Sequence, residues 1–309
     1  MGNLPLTAII VTYNSRQEID TCLQSLFGNL NFDIPSNQEA DVIVIDNAST
    51  DGTPEYLVRQ WPQVKLLAQV DNLGFAAANN IGFNISQGDP VLLLNPDTVL
   101  TPGALSELLH TLELHPEAGL VGPRLMNSDG SLQSSCRDFP TLLGDMVGMF
   151  ELYRLKIIRR LLGRYLASLS DHCCPRPVDW ISGACLLVRR AAIDAVGLMD
   201  ESFFMYSEEM EWQYRMAKKG WLVWFEPAAQ VIHTGGASTA RVPAQRIIWQ
   251  YQSIFRFYRQ YRNRVQRLAL RLIVWLATWP KVILLAFISQ NDAHRRQLLK
   301  GFWQVLWLH

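Results

Sequence analysis

The stretch "DVIVIDNASTDG" spans residues 41–52. Four apolar, β-branched residues run unbroken between two aspartates, and a polar turn follows. A half-buried strand alternates apolar and polar residues, whereas an unbroken apolar run has no wet face. The stretch therefore reads as a strand buried on both faces, with a carboxylate left at its exit. The pattern recurs on either side, in "LTAIIVT" (6–12), "VKLLAQ" (64–69) and "VLLLN" (91–95). Helical segments separate these runs. Ser15 reads as an N-cap with Glu18 as capping-box partner, opening a helix to about Phe27. A short helix to about Trp61, a small-residue helix in "NLGFAAANNIGFN" (72–84) and a helix from Pro102 to about His115 follow. Strand and helix alternating four times predict an α/β fold with a mostly parallel sheet covered by helices. No GxGxxG follows the first strand, which disfavours the dinucleotide-binding version.

Past residue 119 the pattern changes. A hairpin is expected around Asn127–Gly130 and helix over 141–170, where Arg154, Lys156, Arg159, Arg160 and Arg164 sit among leucines. "VDWISGACLLVRR" (178–190) reads as a strand, a helix starts near Glu208, and "WLVWFEPAAQVIH" (221–233) is strand again.

The chain of 309 residues is 49% apolar, enough for one large domain with an extension. Zero formal net charge argues against a nucleic-acid partner held by overall charge. Five cysteines with no CxxC pair argue against a disulfide framework or a zinc site and suit a reducing, cytoplasmic compartment. The first apolar run is too early and too short for a signal peptide, so none is expected. Between Glu226 and Asp292 there is no acid, but there are Arg241, Arg246, Arg256, Arg259, Arg262, Arg264, Arg267, Arg271 and Lys281. Within this interval "LALRLIVWLATWPKVILLAFIS" (268–289) is interrupted by Arg271, Pro280 and Lys281 and carries Trp275 and Trp279. Such a segment suits peripheral contact with the inner face of the cytoplasmic membrane; the alternative is an amphipathic helix pair packed on the catalytic domain. The expected organisation is a catalytic domain over 1–240 and a basic, apolar helical extension over 241–309.

Open α/β sheets bind ligands outside the carboxyl ends of their strands. Asp46 and Asp97 both stand there. Asp97, in "NPD" (95–97), could hold a divalent cation, or Asn95 and Asp97 could be turn-formers around Pro96. Asp46 could accept hydrogen bonds from a nucleotide or form an Asx-turn, with Thr12 and Asn14 sharing that floor. "FFMYSEEMEWQYR" (203–215) sets Glu208, Glu209 and Glu211 behind an aromatic run. They suit either a helix N-terminus, with Glu211 paired to Arg215, or a general base against an apolar wall. His233 follows a strand and is either structural or a ligand.

The series "TAIIVTYNS", "VIVIDNASTDGT", "NLGFAAANNIGFN", "LLLNPDT", "DWISGACLLVRRAAIDAVGLMDESFFMYSEEMEW" and "VIHTGGAS" occurs in this order over residues 5–240. It resembles glycosyltransferase family 2, in its rhamnosyltransferase-like branch. The resemblance implies a GT-A (nucleotide-diphospho-sugar transferase) fold and inverting transfer of a sugar from a nucleotide-diphosphate donor. It further implies a Mg²⁺ or Mn²⁺ cofactor, a dTDP-rhamnose or UDP-sugar donor, and a saccharide or lipid-linked acceptor in cell-envelope synthesis. The expected donor-binding set is Thr12, Asn14, Asp46, Asn72, Gly74, Asn95 and Asp97; by the resemblance Asp46 contacts the nucleotide, Asp97 holds the metal and His233 is a metal or pyrophosphate ligand. Trp180, Ser182 and Gly183 face donor sugar and acceptor, Glu209 is the catalytic base and Glu208 orients its neighbours. Two positions depart from the family pattern: Asn95 stands where the metal motif has its first carboxylate, and Glu209 where the base is usually Asp. A nucleotidyltransferase on a similar sheet is the first rival, but "VTYNSRQE" (11–18) lacks the glycine-rich loop a triphosphate needs. A sugar-nucleotide-binding module without catalysis is the second.

Overall fold

The structure is a computed structural model that describes residues 6–33, 40–162, 172–235, 242–288 and 292–308. The chain forms two compact units. The first comprises residues 1–137, 171–204 and 208–235; the second comprises 138–170, 205–207 and 236–309.

Among the described residues the strands belong to the first unit: β1 Thr7–Thr12, β2 Asp41–Asp46, β3 Lys65–Ala68, β4 Val91–Leu94, β5 Thr98–Leu100, β6 Ala118–Met126, β7 Leu132–Gln133, β8 Cys136–Arg137, β9 Arg176–Val178, β10 Trp180–Ile181, β11 Cys185–Val188 and β12 Leu222–His233. Its helices are α1 Ile19–Asp33, α2 Thr53–Gln60, α3 Phe75–Ile85 and α4 Ala104–Leu114, then α7 Arg190–Val196 and α8 Glu208–Lys218. The main sheet runs β3-β2-β1-β4-β11-β6-β12-β5. The first four strands are parallel, as the unbroken apolar runs require; β11 is antiparallel to β4 and β6, and β6 and β12 are parallel to each other.

Both faces of the parallel part are covered. Ala8 and Ile10 of β1 join the core under α1 and α4, while Ile9 points the other way, to Gly82 of α3. Chain order runs outward from β1 in both directions, so the carboxyl ends of β1, β2 and β4 surround a topological switch point. The start of β11 lies at this same end, because Cys185 pairs with Leu94.

The second unit contains α5 Leu142–Met149, α6 Lys156–Leu162, α9 Pro243–Tyr261, α10 Arg264–Ile288 and α11 Ala293–Val305. Helix α10 packs on α5, α9 and α11 through Leu270, Val274, Ala277 and Val282. Its opposite face exposes Leu268, Leu272, Trp275, Leu276, Ile283 and Phe287. By length and composition alone, residues 264–287 could cross a membrane.

Three local expectations change. The Ser15 hydroxyl donates to Tyr13 O rather than capping, and α1 starts only at Ile19. The single helix expected over 141–170 is broken after Met149, where Glu151 adopts a left-handed conformation; residues 163–170, including Arg164, lie outside the described residues. Pro280 does not interrupt α10: one backbone bond is lost, but buried Ala277 and Val282 hold the helix on both sides. Lys281 instead donates from Nζ to Met149 O at the end of α5, 3.1 Å away.

Two glycines of the first unit separate packing from propensity. A Cβ at Gly82 would lie 2.5 Å from Ile9 Cγ2 in the middle of the sheet, whereas Gly28, exposed on α1, has open space. Gly82→Ala is expected to destabilise by about 1–3 kcal/mol through overpacking. Gly28→Ala should stabilise by up to about 1 kcal/mol. Urea denaturation of both variants checks the pair.

Candidate active site

The carboxyl ends of β1 and β2 form one polar floor. Asp46 is buried, and its Oδ1 accepts the Thr12 hydroxyl at 3.0 Å. Its Oδ2 accepts the Ser49 amide at 2.9 Å, which is the turn bond of the structural alternative. Asn14 Oδ1 accepts the Thr50 amide at 2.8 Å, and the Asn14 amide donates to Ser49 Oγ at 2.8 Å. Asn14 and Ala48 both hold positive φ, 52° and 66°, so the floor is shaped by strained backbone.

Asn72 and Gly74 are brought to this floor by a residue that sequence reasoning passed over. Buried Asn47 donates from Nδ2 to Asn72 Oδ1 (3.0 Å) and Gly74 O (3.2 Å), and accepts the Leu73 amide at 2.9 Å. Gly74 has φ 85°, and a Cβ there would lie 2.5 Å from Phe204 O. The lack of a side chain lets the Phe204 carbonyl close onto this loop, where it accepts the Phe75 amide at 3.0 Å.

The turn after β4 carries Asn95 and Asp97. Asn95 O accepts the Thr98 hydroxyl at 2.6 Å, and the Asn95 amide donates to Ala184 O at 2.9 Å. Antiparallel pairing of β5 with β12 sets His233 opposite Thr98. His233 Nε2 then lies 3.3 Å from Asp97 Oδ1, while Asp97 Oδ2 accepts the Gly235 amide at 3.1 Å. The two side chains meet at one point, each only 13% exposed. Among the described residues no third His, Cys, Asp or Glu joins them. One carboxylate oxygen and one imidazole nitrogen fit a divalent cation that takes its remaining ligands from substrate diphosphate and water.

On the other side of Asn95, Ala184 leads back to Gly183, Ser182 and Trp180. Trp180 pairs with Arg137, and the Ser182 amide donates to Ser135 O at 3.0 Å. Gly183 donates its amide to the Glu209 carboxylate, and a Cβ at Gly183 would lie 3.4 Å from Glu209 Cγ. Helix α8 is tied to this strand by Gln213, the second residue missed from sequence. Its Oε1 accepts the Ile181 amide, and its Nε2 donates to Ile181 O, both at 2.8 Å, and to Glu209 O at 3.0 Å.

Glu208 and Glu209 both have a buried Oε2 without a hydrogen-bond partner among the described residues. Burial, and then the charge of Glu209, push Glu208 well above the usual carboxylate range. Burial also raises Glu209, but the Gly183 and Met210 amides and the Arg137 charge oppose it. Glu211 belongs to neither: it binds Arg215 at 2.9 Å, and the Arg215 guanidinium also holds the carbonyls of Val196 and Leu198. No local signal marks Asn47 or Gln213 in the sequence, since the bonds that tie one element to another reach partners 25 or more residues away.

A family model described as Glycosyl transferase family 2 matches residues 7–197. The chain is 34% identical over 265 residues to an N-acetylglucosaminyl-diphospho-decaprenol L-rhamnosyltransferase of Mycobacterium tuberculosis, covering 82% of this chain and 83% of that one. It is 25% identical over 266 residues to the low-salt glycan biosynthesis hexosyltransferase Agl10 of Haloferax volcanii, covering 84% of this chain and 74% of that one. Among solved structures, a mannosyltransferase from Pyrobaculum calidifontis in complex with GDP-Man and Mn²⁺ superposes with a TM-score of 0.59 at 16% identity, covering 98% of this chain and 86% of that one. The fold is GT-A, and with the family model matching well over half its length, the chain belongs to glycosyltransferase family 2.

Proposed function

We propose that the chain transfers an L-rhamnosyl group, with inversion, from dTDP-rhamnose to a hydroxyl of a saccharide acceptor linked to a polyprenyl diphosphate. The observation that carries the mechanism is the link from Asp97 to Glu209: Asn95 is bonded to Ala184, and the adjacent Gly183 to Glu209. The likeness to the mycobacterial rhamnosyltransferase supports the donor and acceptor class. Thr12, Asn14 and Asp46 bind the nucleoside, Asn72 and Gly74 the adjoining part of the donor, and Trp180 and Ser182 line the sugar. Asp97 and His233 would hold Mg²⁺ or Mn²⁺. When bound, that ion neutralises charge growing on the leaving diphosphate.

Glu209 accepts the proton of the acceptor hydroxyl while its oxygen bonds to the anomeric carbon and the bond to dTDP breaks. Displacement from the opposite face inverts that centre. Glu208 keeps its own proton. An ionised carboxylate without partners costs several kcal/mol to bury. Burial and the Glu209 charge raise Glu208 well above the usual carboxylate range, which favours its neutral form. A neutral Glu208 leaves Glu209 as the single negative charge of the pair.

The C-terminal helices attach the enzyme to an anionic inner leaflet. One face of α10 is packed within its own unit and the other is apolar, so the helix lies in the headgroup plane rather than across the bilayer. The acid-free interval supplies the positive charge.

Three outcomes are expected. With dTDP-rhamnose and a lipid-linked acceptor, Glu209→Gln should lower kcat by ~10²–10⁴-fold with dTDP retained, and Glu208→Gln by less. Normal turnover by Glu209→Gln would reject the base assignment, and no transfer by the wild type with this donor would reject the donor. Because Glu209 is raised and must be ionised to act, kcat/KM should fall on acidification at a pH above the ordinary glutamate value of ~4.3. A profile flat down to that value counts against it. Finally, Leu272→Glu with Phe287→Glu, both on exposed positions, should release the chain from anionic vesicles in a sedimentation assay without changing its melting temperature.

A further inference from the structure

Gln133, in β7, reaches His233 from 100 residues away. Its Nε2 lies 3.1 Å from His233 O and 2.9 Å from Asn127 Oδ1. A backbone carbonyl can only accept, so the amide nitrogen must be on that side and the orientation of the side chain is fixed. Gln133 Oε1 therefore faces His233 Nδ1, at 2.6 Å. An amide oxygen can only accept as well, so the proton resides on Nδ1. A neutral imidazole carries one N–H, which leaves the lone pair on Nε2.

In the neutral imidazole that lone pair lies 3.3 Å from Asp97 Oδ1, a contact that becomes an ion pair when the ring takes a second proton. Asp97 is itself oriented, since the Gly235 amide holds Oδ2. Two acceptors thus converge, an arrangement that a cation between them stabilises. The Gln133 grip is rigid because its other end sits in the hairpin: Asn127 donates from Nδ2 to Ser131 Oγ at 2.9 Å and from its backbone amide to Ser131 O. Strands β7, β6 and β12 lie side by side, so Gln133 and His233 are held in one register.

We infer that Gln133 is a positioning residue that locks His233 in the Nδ1–H tautomer, turning the Nε2 lone pair and Asp97 Oδ1 into a prepared two-point site for the divalent cation of the donor diphosphate. The inference rests on the metal reading of Asp97 and His233 proposed above. It adds that the metal affinity is set by an uncharged amide that never touches the metal. An outer partner of this kind typically changes metal affinity 10–100-fold.

Nitrogen NMR of metal-free protein carrying isotope-labelled histidine reads the tautomer at mildly alkaline pH. The His233 signals are assigned by their loss in His233→Gln. Wild type should show a protonated Nδ1 and a bare Nε2. Gln133→Met keeps the length of the side chain but removes both polar ends; it should lose this preference and bind Mn²⁺ with dTDP ~10–100-fold more weakly. Gln133→Glu retains an acceptor opposite Nδ1 and should keep the tautomer. A wild-type His233 protonated on Nε2 overturns the lock. So does unchanged Mn²⁺ affinity in Gln133→Met. A wild-type chain with the expected tautomer that takes up no Mn²⁺ with dTDP overturns the metal reading instead, and with it the purpose of the lock.

Discussion

The antiparallel pairing of β11 with β4 is the constraint on which the site depends. Had β11 run parallel, its first residues would lie at the far end of the sheet, away from Asp97. With Cys185 facing Leu94, Gly183 and Ala184 come to the carboxyl ends of the parallel strands. One backbone bond, Asn95 to Ala184, then joins the turn that presents Asp97 to the strand that receives Glu209. The same reversal lets β6 and β12 extend the sheet, and β12 delivers His233 to Asp97.

The parallel half of the fold was legible because its strands are buried on both faces. In "TAIIVT", "VIVID" and "VLLL" both sides of each strand must be apolar, and no other element writes that pattern so briefly. Asp46 and Asp97 were legible for the same reason, as acids at the exits of apolar runs. The pairing of Glu211 with Arg215 followed from helical spacing. Asn47, Gln133 and Gln213 were not legible. Each is an amide with at least one decisive partner distant in sequence, and an isolated Asn or Gln in a chain looks like any surface residue. Pro280 misled for a related reason: local chemistry forbids one hydrogen bond, and only the packing around Ala277 and Val282 reveals that the helix tolerates the loss.

Polar side chains, not apolar ones, give this site its definition. The sheet brings the strand ends near one another, but side-chain bonds choose the orientations. Asn47 joins the loop after β2 to the loop after β3, Gln213 joins α8 to β10, and Gln133 joins the hairpin to β12. Each of the three uses both its donor and its acceptor. Among the described residues named for this site, the two glutamates differ, with an Oε2 each unpartnered. An uncompensated polar atom in an otherwise satisfied environment is a place where binding partners have something to gain.

The Gln213 amide has a second consequence. It meets both the N–H and the C=O of Ile181, the two groups that a neighbouring strand would otherwise take. Strand β10 pairs with β8, and on its other side, where Ile181 is buried under α8, the Gln213 amide takes the place of a neighbouring strand. A buried backbone N–H or C=O left without a partner costs free energy comparable to a lost hydrogen bond. A single glutamine therefore acts as a one-residue mock strand, and losing it would leave both backbone groups of a buried residue unpaired as well as loosen the helix that carries the acids.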